Sequence, residues 1–402
     1  MYQLLNFLLL TVSLFLFIPI VVLFVECLAA AVTGRQKTTT ELLPERPRVA
    51  VLVPAHNEAI GISTTLKELL PQLTSHDRLL VVADNCCDET AAVARAFDVA
   101  VLERHDLEKR GKGYALDFGL KFLASDPPDV VVVVDADCFV AEGAIAKISH
   151  LAATKQRPVQ ARYLLTPPAN ASPGAAVSLL AFTVKNLVRP LGLAQLGLPC
   201  LLTGTGMAFP WSVIRNASLA SSNIVEDMQL SVDLLIAGSP AIFCADAEVT
   251  GLLPQQQHAA KSQRTRWEHG HLQTLRTQVP RLLKEWVNQK RFDVLAIALD
   301  LCVPPLSLLV MLWLLLTVAA IVTSLTLKLY APVLVSALEG LLILVSVITA
   351  WAKFARDTLP LAALLSVPGY ILWKIPLYLR FLVKPQTKWV RTERDVVDSQ
   401  EL

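Results

Sequence analysis

Val130-Val131-Val132-Val133-Val134-Asp135-Ala136-Asp137 is the stretch that decides the fold. Five β-branched residues in an unbroken run have strand length and leave no polar face, so this strand is buried on both sides. Strands of that kind belong to parallel sheets covered by helices. Two carboxylates stand at its carboxyl end, where open α/β sheets bind their ligands.

Upstream, Val49 to Val53, Leu79 to Val82 and Val99 to Leu102 are apolar runs of the same type. Helical spacing over Glu58 to Leu70, Asp88 to Phe97 and Tyr114 to Ala124 separates them. The alternation predicts an α/β, Rossmann-like, mostly parallel sheet. Other strand ends carry polar groups as well, namely Pro54-Ala55-His56-Asn57-Glu58 and Ala83-Asp84-Asn85. Asp88 reads as a helix cap.

Asp135 and Asp137 make a compact negative patch. Hard divalent cations prefer oxygen ligands, and Mg²⁺ is usually held by one or two carboxylates plus substrate phosphates. Lys109-Arg110-Gly111-Lys112-Gly113 supplies flexible backbone and cations just before a helix, a setting that favours phosphate. Together they suggest a diphosphate bridged by protein and ion. Thr203-Gly204-Thr205-Gly206 is either a plain tight turn or a place where an elongated ligand approaches the backbone. Glu226-Asp227 opens a helix, as a dipole partner or a general base. Gln263-Arg264-Thr265-Arg266-Trp267 joins two guanidinium groups to an aromatic face, for phosphate clamping and stacking or for interfacial anchoring.

The whole chain of 402 residues is 54% hydrophobic and 17% charged, against about 25% charged in soluble domains. That excludes a disordered chain and a purely soluble one. A formal net charge of +2 gives no field that would attract nucleic acid. Seven Cys with irregular spacing and no CxxC argue against a zinc site or a disulfide framework, leaving free thiols. From Leu4 to Val32 the only formal charge is Glu26, long enough to cross a bilayer. No Lys or Arg precedes Arg35, so an uncleaved anchor fits better than a signal peptide. Val303 to Leu327 and Ala331 to Ala352 read as two more spans, with Glu339 either neutralised or paired between helices. Leu359 to Val383, interrupted by Pro360, Pro368 and Pro376, suits a broken interfacial helix better than a span. Basic residues flank the spans at Arg35, Lys37, Arg46, Arg48, Lys290, Arg291, Lys353 and Arg356, and the tail adds Lys384, Lys388, Arg391 and Arg394. Three spans with the amino terminus outside place all of them in the cytoplasm.

The expected organisation is a transmembrane helix over 1–33, a linker over 34–47 and a cytosolic catalytic domain over 48–253. Interfacial helices over 254–300 follow, then a membrane hairpin and broken helix over 301–383 and a basic cytosolic tail over 384–402. Pro173 to Pro199 is read as a second interfacial segment, or as a buried helix pair.

In order and spacing these motifs resemble the membrane-embedded family 2 glycosyltransferases, which include cellulose, chitin and hyaluronan synthases, over roughly Arg48 to Gln273. The resemblance implies a GT-A fold, with Pro54, His56, Glu58 and Asp84 binding the nucleotide donor and Lys112 on its phosphate side. Asp135-Ala136-Asp137 matches the DxD element, Asp137 being the direct ligand of Mg²⁺ or Mn²⁺ and Asp135 serving nucleotide and metal. Val225-Glu226-Asp227 matches the TED-type element, which makes Asp227 the catalytic base. Gln263, Arg266 and Trp267 match QxxRW and fall, with Glu226, Gly204 and Thr205, on the acceptor and diphosphate side. Two departures stand out. Ala83-Asp84 replaces a frequent Asp pair, and Val225 replaces the usual Thr.

The implied reaction is inverting transfer from a nucleotide sugar, a UDP-sugar in the family, to a growing polysaccharide or lipid-linked acceptor. The implied setting is the inner face of the plasma membrane in extracellular polysaccharide biosynthesis, with the bilayer and export or polymerisation proteins as partners. Single-sugar transfer to a lipid carrier is the alternative. A membrane nucleotidyltransferase is more distant, since it does not require Asp227 or Trp267. A non-catalytic scaffold leaves the DxD and basic motifs unexplained.

Overall fold

The computed structural model describes residues 2–32, 46–167, 173–220, 225–253, 256–357 and 359–384. Residues 34–45 of the expected linker and 385–402 of the expected basic tail, with the flanking charges Arg35, Lys37, Lys388, Arg391 and Arg394, lie outside the described residues. In chain order the elements begin with α1 (Tyr2–Val32), β1 (Val49–Ala55), α2 (Ile62–Leu69), β2 (Arg78–Asp84), α3 (Thr90–Arg95) and β3 (Ala100–Arg104). Next come α4 (Lys112–Leu123), β4 (Val130–Val133), β5 (Cys138–Val140), α5 (Ala144–Lys155) and β6 (Val159–Thr166). Then follow α6 (Pro173–Thr183), α7 (Arg189–Gln195), β7 (Met207–Pro210), α8 (Trp211–Ile214), α9 (Glu226–Ile236) and β8 (Ile242–Leu252). The chain closes with α10 (Gln257–Gln289), α11 (Phe292–Cys302), α12 (Leu306–Leu327), α13 (Ala331–Phe354) and α14 (Val367–Val383).

Two compact units divide the chain. One comprises Met1–Gly34, Ser172–Leu198 and His271–Pro385; the other comprises Arg35–Ala171, Pro199–Gly270 and Gln386–Leu402. The expected catalytic stretch 48–253 is thus interrupted, because its apolar insert groups with the flanking helices.

The second unit is built on one sheet of order β3-β2-β1-β4-β7-β6-β8-β5. Strands β3, β2, β1 and β4 run parallel, as the apolar runs predicted. β7 is antiparallel to both β4 and β6, β8 is parallel to β6, and β5 reverses against β8. The sheet is therefore mixed α/β and mostly parallel. Along β1, Val49, Val51 and Val53 join a core under α2 and α5, while Ala50 and Leu52 join a second core under α4 and α9. Burial on both faces is why this strand has no polar alternation.

Pro54 sits in this central strand, where a missing N–H normally breaks a ladder. Leu52 O accepts from Val134 N at 3.2 Å, so Leu52 and Pro54 face β4. The β1–β4 ladder ends at Leu52↔Val133, while pairing to β2 continues to Ala55↔Ala83. Proline therefore falls where β4 has already peeled away, and Asp135 and Asp137 follow in the opening.

In the first unit, Glu26 of α1 is not a stray charge. Arg189 donates from Nε to Glu26 Oε2 at 2.7 Å and from Nη2 to Asp300 Oδ1 at 2.6 Å, all three side chains being buried. A Cβ on Gly192 would lie 2.0 Å from Glu26 O, so α7 approaches α1 as closely as glycine allows. Glu339 is fully buried and, among the described residues, neither carboxylate oxygen has a hydrogen-bond partner; of the two expected readings, neutralised or paired between helices, the pairing is not made.

Among the described residues five helical stretches are long and apolar enough to cross a membrane: Gln3–Val32, Gly174–Gln195, Leu306–Leu327, Ala331–Phe354 and Leu361–Val383. Two of these lie beyond the three expected spans. Gly174–Gln195, expected as an interfacial segment or a buried helix pair, contains a π-helical turn at Val184–Val188. Leu361–Val383 is helical through its prolines, with Lys374 buried 5.0 Å from the Tyr370 ring centroid.

Candidate active site

The strand ends meet around the Thr203–Gly206 turn. Lys112 opens α4 and donates from Nζ to Gly204 O at 2.6 Å while forming an ion pair with Asp135 Oδ1. The backbone N–H of Asp135 donates to Thr205 Oγ1 at 3.0 Å. Gly204 has φ +94°, and a Cβ there would lie 3.4 Å from Asp227 Oδ2 and 3.6 Å from Lys112 Nζ. A glycine is required both by this left-handed backbone and by the approach of those two side chains. Behind the turn, the Leu202 N–H donates to Ser231 Oγ at 2.7 Å, and Ser231 Oγ donates to Asp227 O at 2.9 Å, tying the turn to α9. Asp227 Oδ1 accepts the Met228 N–H at 2.8 Å.

The electrostatics follow from this crowding. Burial alone would lower the Lys112 ammonium, but Asp135, Glu226 and Asp227 together raise it above the ordinary lysine value. Burial pushes the Glu226 carboxyl up to about 7; Lys112 opposes the shift, and the Asp227 and Asp135 charges add to it. The carboxyl with a neutral-range pKa is thus the neighbour of the expected base.

Ligand atoms of Asp135, Asp137 and Cys138 lie within 4.8 Å of one another. The Cys138 thiol is buried, and that burial holds it well above the usual thiol range. The two carboxylates are the donors suited to a hard divalent cation, and the donor set fits Mg²⁺ or Mn²⁺. Lys112 already balances Asp135 by charge.

At the neighbouring strand ends, His56 Nδ1 lies 2.6 Å from Asp84 O, and the Glu58 N–H donates to Thr90 Oγ1 at 2.8 Å. Glu58 O accepts from Gly61 and Ile62, which is why α2 starts later than its spacing suggested. Asp88, expected as the helix cap, accepts the Thr90 N–H at 3.1 Å from one residue before the N-cap, which is Glu89. Asp84 is buried and holds Arg104 at 2.6 Å, with Arg104 also 5.5 Å from the Tyr114 ring centroid. That latch between β2 and β3 was not foreseen, since an ion pair 20 residues apart has no local signature.

Gln263, Arg266 and Trp267 stand on α10, Gln263 buried and the other two partly so. On the same helix a Cβ at Gly270 would come 2.5 Å from Val225 Cγ1. Val225, where a Thr was expected, is thus packed closely against α10. Gln160 of β6, also missed, is buried and bonds the Thr203–Gly206 turn from below.

A family model described as glycosyltransferase-like family 2 matches residues 47–270, more than half of the chain. The probable glycosyltransferase YdaM of Bacillus subtilis is 37% identical over 109 residues, a match spanning 24% of this chain and 24% of that protein. Among solved structures, the mannosyltransferase PcManGT of Pyrobaculum calidifontis, in complex with GDP-Man and Mn²⁺, is similar at TM-score 0.54 and 17% identity. That likeness covers 88% of this chain and 99% of the other. Glucosyl-3-phosphoglycerate synthase of Mycobacterium tuberculosis, with Mn²⁺, UDP and phosphoglyceric acid, overlaps 49% of this chain and 68% of its own at TM-score 0.34 and 22% identity. The extent of the family match on a mostly parallel α/β sheet is decisive: this chain belongs to the family 2 glycosyltransferases.

Proposed function

We propose that the protein is an inverting, metal-dependent glycosyltransferase that moves a hexosyl group from a nucleotide sugar to a polysaccharide or lipid-linked acceptor at a membrane face. The observation that carries this reading is the convergence of Asp227 and Lys112 on Gly204, with Asp135 paired to Lys112 and bonded to the neighbouring Thr205. A carboxylate suited to a base, a cation and a metal-type carboxylate meet at one turn.

Asp227 takes the proton of the acceptor hydroxyl as that oxygen attacks the anomeric carbon. Lys112 and Arg266 stabilise the departing nucleoside diphosphate, and Asp84 with His56 and Glu58 borders the nucleotide. Asp137, with Asp135, would hold Mg²⁺ or Mn²⁺, which when bound supplies positive charge to the diphosphate.

The membrane setting has its own support. β6 and β7 belong to one sheet, and the segment between them contains Gly174–Gln195. A single crossing by that helix would put the two strands on opposite sides of the bilayer, so the helix lies in the interface or re-enters. Spans at α1, α12 and α13 then leave the sheet and the described basic residues Arg46, Arg48, Lys290, Lys353 and Arg356 on one side, read as cytosolic.

The test uses the full chain in lipid nanodiscs with Mn²⁺ and a panel of UDP- and GDP-sugars, following nucleoside diphosphate release and sizing the product. A ladder of lengths identifies a polymerising enzyme, and one sugar on an extracted lipid identifies a single-step transferase. No diphosphate release with membrane lipid extract and oligosaccharides as acceptors would sink the reading.

A further inference from the structure

We infer that Gln160 is the positioning residue of the metal and diphosphate end of the site, acting through the Thr203–Gly206 turn. This rests on the proposed reading of Asp135 and Lys112. Gln160 is 1% exposed on β6, opposite Met207 of β7. Its Oε1 accepts the Thr203 N–H at 2.8 Å, and its Nε2 donates to Thr205 O at 2.9 Å and to Ala161 O at 2.8 Å. One primary amide therefore supplies the acceptor needed on one side of Gly204 and the donor needed on the other. An ionised carboxylate of that length only accepts, an apolar side chain does neither, and a hydroxyl has one atom where the amide has two to reach the two sides.

The two residues so held are those between which the charged groups are anchored. Gly204 O takes the Lys112 ammonium at 2.6 Å, and Thr205 Oγ1 takes the Asp135 N–H at 3.0 Å. Position along β6 is fixed in turn, because the register shift falls just after Gln160, between Ala161 and Arg162, and the Ala161 N–H donates to Gly206 O at 2.8 Å. Gln160 thus sets from behind the spacing of Lys112 and Asp135 without facing either. Its replacement frees the turn to move, and with it the carboxylate that meets the ion.

The experiment measures Mn²⁺ binding by the paramagnetic resonance of free Mn²⁺, with UDP or GDP present, on the full chain in nanodiscs. Gln160→Met keeps the length and removes all three bonds; Gln160→Glu puts an acceptor against the Thr205 and Ala161 carbonyls. Both are expected to weaken Mn²⁺ binding at least tenfold. In turnover assays the Mn²⁺ activation constant should rise by the same factor, with the donor KM at saturating Mn²⁺ changed less than threefold. Thr205→Val, which deletes only the hydroxyl that holds Asp135, should reproduce the Mn²⁺ loss and Thr205→Ser should restore it. Where the Gln160 variants fail to fold, Thr205→Val with Mn²⁺ affinity within twofold of wild type overturns the proposal, because the turn then does not carry the effect to Asp135. Folded Gln160→Met with Mn²⁺ affinity within twofold of wild type would overturn the role of Gln160 alone. Wild type that binds no Mn²⁺ with either nucleotide would overturn the metal-site reading beneath it.

Discussion

Glu226 and Asp227 are adjacent carboxyls on one helix start, yet the site treats them differently. Asp227 faces Gly204 and the Lys112 ammonium, where the proposed reaction has it take the acceptor's proton. Asp227→Asn is expected to lower turnover by about 10²–10⁴, the usual worth of a general base, with donor binding nearly unchanged by calorimetry. Near-wild-type turnover would assign the base elsewhere. Glu226 is held up to about 7 by burial, so the folded chain keeps its proton over a range where the unfolded chain, near 4.5, has lost it. The folded state binds more protons between those values, and stability from this group falls as pH rises through them. Below about 4.5 its contribution is intact; above about 7 it is gone. Glu226→Gln should therefore flatten the decline of Tm with rising pH in that window, and an unchanged slope would refute the assignment.

Helix α4 shows how an element serves the site. Lys112 is its first residue, and Gly119 two turns on lies where a Cβ would meet Leu52 Cδ1 at 2.5 Å and Val82 Cγ2 at 3.2 Å. Gly119→Ala forces α4 off the sheet, at a cost of about 1–3 kcal/mol, the range for overpacked cores. Denaturant titration should read that loss together with weaker donor binding. Elements of this kind were legible in the sequence where one physical cause dominates: β1, β2 and β4 are buried on both faces, and their unbroken apolar runs say so. Strands β6 and β8 mix Gln160, Arg162 and Glu248 with apolar residues, since their polar groups are spent on the turn and on an ion pair across the two strands. No period survives that mixture. The site was legible in the same uneven way. Asp135, Asp137 and Asp227 sit at element ends, where local sequence marks them, whereas Gln160, Arg104 and Gly270 act through contacts distant in the chain.

For the whole molecule, the apolar unit is more than a set of anchors. Its buried Arg189 joins Glu26 of α1 to Asp300 of α11, and Arg189→Met leaves two buried carboxylates without their cation. Breaking such a group typically costs about 3–5 kcal/mol, and a large fall in the melting temperature of the detergent-solubilised protein is expected. An unchanged melting temperature would mean that the triad contributes nothing. The triad also bears on how the protein is made. Glu26 and Arg189 are 163 residues apart, and ribosomes add about 5–20 residues per second, so on the order of ten to thirty seconds separate their synthesis. During that interval every nascent chain carries an acid in its first hydrophobic helix with its cation still untranslated. Chains arrested before residue 189 should accordingly be cleared by membrane proteases faster than chains arrested beyond residue 300. On the proposed membrane reading the first helix is inserted early but completed late, and a truncated product would be marked for disposal by the same carboxylate that later fixes it in place.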